Sequence, residues 1–225
     1  RAGRLKNGLS ASSANKEVKV LRRVFNLAIL RGYLPQDSNP CFGIPMLRVA
    51  PKRPKYVSPT EFEQIYRRAQ DSLWRALLVT LYATGLRYRE AMNLLWRDVD
   101  FESGQLHVTR RTGEGLVQAW TPKDHEMRTI PLPHQAVSLL ATWQAVAPEG
   151  CPYVFMEPDR WEHYRQAIAA GQWRAGQDLV NNVLRRFKTM CGRAGVGPYT
   201  LHDLRRSCIT NWAKKLPIHV VQQLA

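Results

Sequence analysis

Five prolines, Pro35, Pro40, Pro45, Pro51 and Pro54, fall close together and forbid any long helix or central strand across that stretch. The chain must therefore divide into a short first piece and a long second one. In the first piece, Ser12 or Ser13 caps a helix whose apolar positions Val18, Leu21, Val24, Phe25, Ala28 and Ile29 repeat at helical spacing and end near Gly32. The other face of that helix carries Lys16, Lys19, Arg22 and Arg23. Pro51-Lys52-Arg53-Pro54-Lys55 reads as an extended basic linker, which places a helical, basic first domain at 1–50, a linker at 51–57 and a second domain at 58–225. Ser58-Pro59-Thr60-Glu61 opens the second domain, with a capping serine, proline at the first helical position and glutamate at the third.

The second domain begins with helices over 59–70 and 72–84, the latter closed by Gly85, and a short one carrying Arg87 and Glu90 to about Leu95. Its character then changes. Gln105–Arg110, Leu116–Thr121 and Arg128–Leu132 are short, β-prone and separated by turn-forming residues, so they predict a small antiparallel sheet. Helical pattern returns from Pro133 to about Val146 and again from about Asp178, interrupted by Gly192, Gly195, Gly197 and Pro198, with a brief extended piece at Tyr153–Phe155. The predicted class is mainly α with a small antiparallel β-sheet, an α+β arrangement.

Charge narrows the partner. The 225 residues hold 33 Lys and Arg against 18 Asp and Glu, a net charge of +15 that favours a polyanion such as double-stranded DNA. The excess is concentrated: residues 1–57 hold 12 basic and 2 acidic side chains, net +10. A solvated helix face followed by a basic linker is the plainer explanation of the same pattern. No apolar run approaches the roughly 20 residues needed to cross a bilayer, and no signal-peptide order opens the chain, so no membrane association is expected. Cys41, Cys151, Cys191 and Cys208 have no paired spacing suggestive of zinc or disulfides, which fits a reducing cytoplasm and predicts no metal and no cofactor. The absence of Met at Arg1 and the unfinished pattern of the last helix suggest a fragment.

Two clusters carry chemistry: Thr84-Gly85-Leu86-Arg87-Tyr88-Arg89-Glu90 and Leu201-His202-Asp203-Leu204-Arg205-Arg206, with Lys123 between them. Together they suggest a site for one phosphate. Phosphoryl transfer spreads negative charge over non-bridging oxygens, and arginine meets it with a planar fork that stays protonated. Glu90, three residues beyond Arg87, shares its helical face and would fix neighbouring basic groups in place. The i, i+3 spacing of His202 and Arg205 sets an imidazole beside a guanidinium, where the histidine would move a proton near neutral pH. Taken singly, an ordinary helix-surface pair, a helix-surface or capping histidine and a solvated loop lysine are the better readings of these residues.

In combination they resemble the tyrosine recombinase (phage integrase) family. Ala83-Thr84-Gly85-Leu86-Arg87-Tyr88-Arg89-Glu90-Ala91-Met92-Asn93-Leu94-Leu95-Trp96-Arg97-Asp98-Val99 looks like its first arginine box. Thr121-Pro122-Lys123 followed by Arg128-Thr129-Ile130-Pro131-Leu132 looks like its hairpin lysine, and Leu201-His202-Asp203-Leu204-Arg205-Arg206-Ser207 like its second box. The first piece, with Asn39-Pro40 before the linker, resembles the end of the family's helical core-binding domain. The resemblance implies a C-shaped clamp on DNA, a homotetramer in the intact protein, and a metal-free 3′-phosphotyrosyl intermediate in a bacterial or phage-encoded, nucleoid-associated enzyme. Arg87 and Arg205 would then bind the scissile phosphate, Lys123 would protonate the leaving 5′-oxygen, His202 would assist proton transfer and Glu90 would support them. Lys16, Lys19, Arg22, Arg23, Lys52, Arg53 and Lys55 would contact the duplex.

One family feature is missing from the pattern. Leu216–Ala225 would lead into a Gly-His or Gly-Trp pair and then the nucleophilic tyrosine, whereas Tyr33, Tyr56, Tyr66, Tyr82, Tyr88, Tyr153, Tyr164 and Tyr199 all precede His202. The expectation is a recombinase chain truncated before its nucleophile. A DNA-binding module without catalysis and a type IB topoisomerase-like enzyme are the other classes; the two-piece layout and Asp98-Val99 after the first box look more like an integrase.

Overall fold

A computed structural model describes residues 8–51, 53–123, 127–174, 176–180 and 182–225. The chain forms two compact units, Arg1–Arg53 and Pro54–Ala225.

The first unit is built on helix α1 (Ala11–Leu30), whose N-terminus is capped by Ser10, its side chain accepting the Ser13 N–H at 3.1 Å. The residues after the helix return along its polar side. Asn15 exchanges two hydrogen bonds with Leu47, at 2.9 and 2.8 Å, and Arg22 donates from Nε to the Cys41 carbonyl at 3.1 Å and from Nη2 to the Ile44 carbonyl at 2.9 Å. Arg22 therefore differs from Lys16, Lys19 and Arg23, which are exposed. Its guanidinium satisfies the backbone of an irregular segment that has no ladder of its own. Val18 of the apolar stripe is buried, but Val20, Leu21 and Val24 remain about half exposed, at 54%, 49% and 55%.

The second unit is mainly helical around one small antiparallel sheet. Helix α2 (Pro59–Tyr66) starts on the expected capping box, with Glu61 N–H donating to Ser58 Oγ at 3.3 Å and Ser58 N–H to Glu61 Oε2 at 3.0 Å. It ends at Tyr66, short of the predicted residue 70. Helix α3 (Ser72–Thr84) is capped by Asp71 and is buried along most of its length, packing chiefly on α5 (His134–Gln144) and α8 (Leu201–Ala213). Leucine burial of this kind is worth roughly 1.5–3 kcal/mol per side chain, so α3 is the core helix on which the others are assembled. Helix α4 (Tyr88–Met92) leads through a 3₁₀ turn (Trp96–Asp98) into strand β1 (Val99–Asp100).

Strands β1, β2 (Gln105–Val108) and β3 (Arg128–Pro131) form the sheet in that order, with Leu106 opposite Ile130, both fully buried, and His107 opposite Thr129 on the other face. Two predictions fail here. Val99–Asp100 supplies a strand, and Leu116–Thr121 makes only isolated bridges, Arg111 with Trp120 and Glu114 with Val117. The cause is visible in the backbone of 116–118: the Gln118 N–H donates to Tyr153 Oη at 2.8 Å and the Leu116 carbonyl accepts from Tyr164 Oη at 2.8 Å. Tyrosine hydroxyls take the groups that a neighbouring strand would have taken. Tyr164 belongs to helix α6 (Pro158–Ala169), which the periodicity did not predict, and it packs edge-on against Trp173 and Tyr153. Helices α7 (Val183–Ala194), α8 and α9 (Ile218–Leu224) complete the unit.

Candidate active site

The first cluster is aimed by a helix end. Gly85 closes α3 in the left-handed region at φ 59°, and Thr84 bonds back to the Thr80 carbonyl at 2.6 Å, so the chain turns sharply before Arg87. At Gly85 a Cβ would stand 3.4 Å from Cys208 Sγ of α8, tight contact that brings the two sequence boxes side by side. Arg87 then caps α4, with its N–H on Glu90 Oε2 at 2.8 Å and its Nη1 on Glu90 Oε1 at 3.0 Å.

Glu90 holds two arginines, and the second was not singled out as a site residue from the sequence. Arg128, the first residue of β3, donates Nη1 to Oε1 at 3.1 Å and Nη2 to Oε2 at 2.6 Å, a bidentate pair with both side chains more than 90% buried. The signal for it was present: Arg128 stands where an alternating strand begins, but its partner lies 38 residues away. Burial alone would raise the Glu90 carboxyl, yet the bonds from Arg128 and from the Arg87 backbone and side chain outweigh it and hold the pKa below its ordinary value of 4.5.

Arg205, on the second turn of α8, is buried and donates Nη1 to the Gly85 carbonyl and Nη2 to the Ala225 carbonyl. Arg128 Nε reaches the neighbouring Leu224 carbonyl at 3.1 Å, so the C-terminal carbonyls of α9 face the cluster. Burial, then the charge of Arg87, pushes the Arg205 pKa down to about 10, with Glu90 opposing and Arg128 adding to the effect. It stays protonated at neutral pH. Among the described residues Arg87 and Arg128 thus share the buried Glu90 carboxylate, Arg205 stands close by on backbone carbonyls, and Arg87 keeps 30% of its side chain open to solvent. A phosphate placed over Arg87 would meet preorganised guanidinium donors.

His202 stands exposed one turn before Arg205. Partial burial and the charges of Arg206 and Arg205 lower its pKa from the usual 6.5, while Asp203 opposes and Arg87 adds. Asp203 fixes the start of this helix, accepting from the Thr200 N–H at 2.8 Å. Lys123 is exposed in the connection before β3, and among the described residues no hydrogen bond or ion pair ties it to the cluster; its neighbours 124–126 lie outside them. Arg53 is exposed, Lys55 donates Nζ to the Pro198 carbonyl at 2.5 Å, and Lys52 lies outside the described residues. Among the described residues no three His, Cys, Asp or Glu side chains converge as metal ligands, and no helix is long and apolar enough to span a membrane.

The sequence pattern of the phage integrase family matches residues 55–225, which include both arginine boxes and the strand carrying Arg128. The chain belongs to the phage integrase family. Among curated relatives, it is 26% identical over 209 residues to the ICEBs1 integrase of Bacillus subtilis (strain 168), covering 90% of this chain and 54% of that protein. It is 26% identical over 223 residues to the tyrosine recombinase XerA of Pyrococcus furiosus, covering 96% and 66%. The chain spans roughly half to two thirds of the length of such relatives. Its fold matches the Tn1549 transposon integrase in complex with a circular intermediate DNA, at TM-score 0.72, 18% identity and coverage of 99% and 74%. The lambda integrase (75–356) dimer bound to a COC' core site gives TM-score 0.71 at 18% identity, with the same coverage of each chain. The helical unit with its small antiparallel sheet is thus an integrase-family fold.

Proposed function

We propose that this chain is the DNA-binding, phosphate-engaging part of a site-specific tyrosine recombinase that cuts and rejoins duplex DNA through a 3′-phosphotyrosyl intermediate. The observation carrying this reading is the gathering of three guanidinium groups, Arg87 and Arg128 bonded to the buried Glu90 carboxylate and Arg205 to the Gly85 carbonyl beside them. In the proposed reaction a tyrosine oxygen forms the bond to phosphorus while the bond to the 5′-oxygen breaks and that oxygen takes up a proton. Arg87 and Arg205 bind the non-bridging oxygens as their charge grows, His202 assists proton transfer, Lys123 delivers the proton to the leaving oxygen, and Glu90 orients the arginines. Exposed Lys16, Lys19, Arg23 and Arg53 grip the backbone of the duplex. Action in the cytoplasm on nucleoid DNA, with a homotetramer as the working assembly, belongs to the same proposal.

A second reading, a DNA-binding module without strand cleavage, draws on the tyrosines. The hydroxyls of Tyr56, Tyr82, Tyr88, Tyr153, Tyr164 and Tyr199 each donate to a partner outside the arginine cluster, Tyr88 to the Val180 carbonyl and Tyr199 to Glu61. A nicked suicide substrate separates the two. The 225-residue chain is expected to give no covalent adduct on a denaturing gel, and a form carrying a nucleophilic tyrosine beside Arg205 is expected to give one. An adduct from the 225-residue chain itself would make one of its own tyrosines the nucleophile.

Duplex binding is expected to be strongly salt-dependent, with log affinity falling by about 0.9 per phosphate contacted for each unit of log salt. A gel-shift titration measures it, and affinity flat in salt would remove the polyanion argument. Stability should report Glu90 in acid. Because the folded state favours the ionised form, the Glu90 contribution is complete above its unfolded value and disappears as pH falls through the lower folded one. Glu90→Gln should therefore cost about 2 kcal/mol at pH 7 and progressively less below about pH 4, followed by thermal melts across pH.

A further inference from the structure

Val57 is fully buried, and its two backbone polar groups are taken by side chains of two different helices. Its N–H donates to Ser207 Oγ of α8 at 2.7 Å, and its carbonyl accepts from Tyr82 Oη of α3 at 3.1 Å. Ser207 in turn donates to the Asp203 carbonyl at 2.8 Å, within the helical turns that carry His202 and Arg205. Tyr82 lies three residues before Gly85, where α3 ends and the chain turns toward Arg87. The backbone of a single residue therefore stitches the helix that delivers Arg87 to the helix that carries Arg205.

Its flanks reinforce the stitch. Tyr56 Oη donates to Asn211 Oδ1 of α8 at 2.7 Å, Asn211 Nδ2 reaches Tyr82 Oη at 3.5 Å, and Lys55 Nζ bonds the Pro198 carbonyl just ahead of α8. On the far side, Tyr199 Oη donates at 2.5 Å to Glu61, the same carboxylate that caps α2 through Ser58. Buried backbone groups are costly to leave unpaired, so this segment has little freedom to slide against either helix.

We propose that residues 55–58 form a strap that sets the spacing between Arg87 and Arg205, with Tyr82 and Ser207 as positioning residues for DNA cleavage; this rests on the recombinase reading above. Two arginines that share one phosphate must be held to well under an ångström. Loosening the strap should slow the reaction without weakening the grip on DNA, because the basic surface is untouched.

The test compares Tyr82→Phe and Ser207→Ala with the parent in a form that carries a nucleophilic tyrosine, measuring single-turnover cleavage at saturating protein, DNA affinity and melting temperature. The expected result is a rate loss of about 10- to 100-fold at temperatures where each variant is fully folded, with affinity within about twofold. The double variant should lose less than the product of the two, since both act on the backbone of one residue. A parent-like rate in folded Tyr82→Phe overturns the strap, as does a rate loss matched by an equal affinity loss. If Ser207→Ala does not fold, Tyr82→Phe, which removes a single oxygen, decides alone. Arg87→Ala run alongside separates the failures: a slow Arg87→Ala with fast strap variants rejects only the strap, whereas fast cleavage by Arg87→Ala rejects the recombinase reading and the strap with it.

Discussion

Arg87→Ala and Arg205→Ala should each cut single-turnover DNA cleavage by about 10²- to 10³-fold, roughly 3 to 4 kcal/mol of transition-state stabilisation, in a form of the protein that carries a nucleophilic tyrosine. Binding should change far less, because the proposed grip on the duplex is shared among many other basic side chains. The asymmetry follows from where charge grows: a guanidinium aimed at the non-bridging oxygens gains most in the transition state. Lysine at either position should not restore the rate, since a point charge lacks the bidentate fork, and Arg205 also holds the Gly85 carbonyl with one arm. The contrasting variant is Arg23→Ala or Lys19→Ala on the exposed face of α1, which should lower affinity and the salt slope and leave saturated cleavage unchanged. Arg22→Ala is unsuitable for that comparison, because Arg22 ties α1 to the Cys41 and Ile44 carbonyls and its loss disturbs the fold of the first unit. If Arg87→Ala behaved like Arg23→Ala, losing affinity alone, Arg87 would be an ordinary phosphate contact.

The second large effect is on stability and lies away from the arginine cluster. Asp98 and Arg111 form an ion pair at 2.7 Å with each side chain only 6% exposed. The same Asp98 carboxylate accepts the Leu95 N–H at 2.9 Å, and Arg111 also bonds the Asn93 carbonyl and lies over the Trp120 ring at 5.5 Å. Asp98→Ala leaves a buried guanidinium without its carboxylate and should cost about 3–5 kcal/mol. For a unit of this size that is a fall in melting temperature of roughly 6 to 20 °C. Replacing both members, Asp98→Leu with Arg111→Met, should recover most of the loss, because it is the stranded charge and not the missing pair that is expensive. Thermal melts of the single and double variants measure this, and a double variant no better than Asp98→Ala would assign the cost to the lost Leu95 cap.

The sequence by itself determined the helical elements with strong local signals: α3 between the Asp71 cap and the positive-φ Gly85, and α2 on its Ser58–Glu61 box. It also placed both arginine boxes, since these depend on residue type and on short spacing at one helix start, Arg87 with Glu90, or within one helix, His202 with Arg205. Elsewhere local pattern misled. The β-prone 116–121 segment lost its strand pairing to hydroxyls of Tyr153 and Tyr164, 35 to 48 residues away, and Arg22, reading as one more basic surface residue, turned inward to serve loop carbonyls.

Only the tertiary structure decided the company that the arginines keep. Arg128 joins Glu90 from across 38 residues, Arg205 meets the Gly85 carbonyl from across 120, and Val57 reaches Ser207 from across 150. Periodicity registers neighbours a turn or a strand apart. A hydrogen bond between distant segments depends on how whole helices pack, and that is set by the sum of buried contacts along α3, α5 and α8, of which each residue carries only a small part.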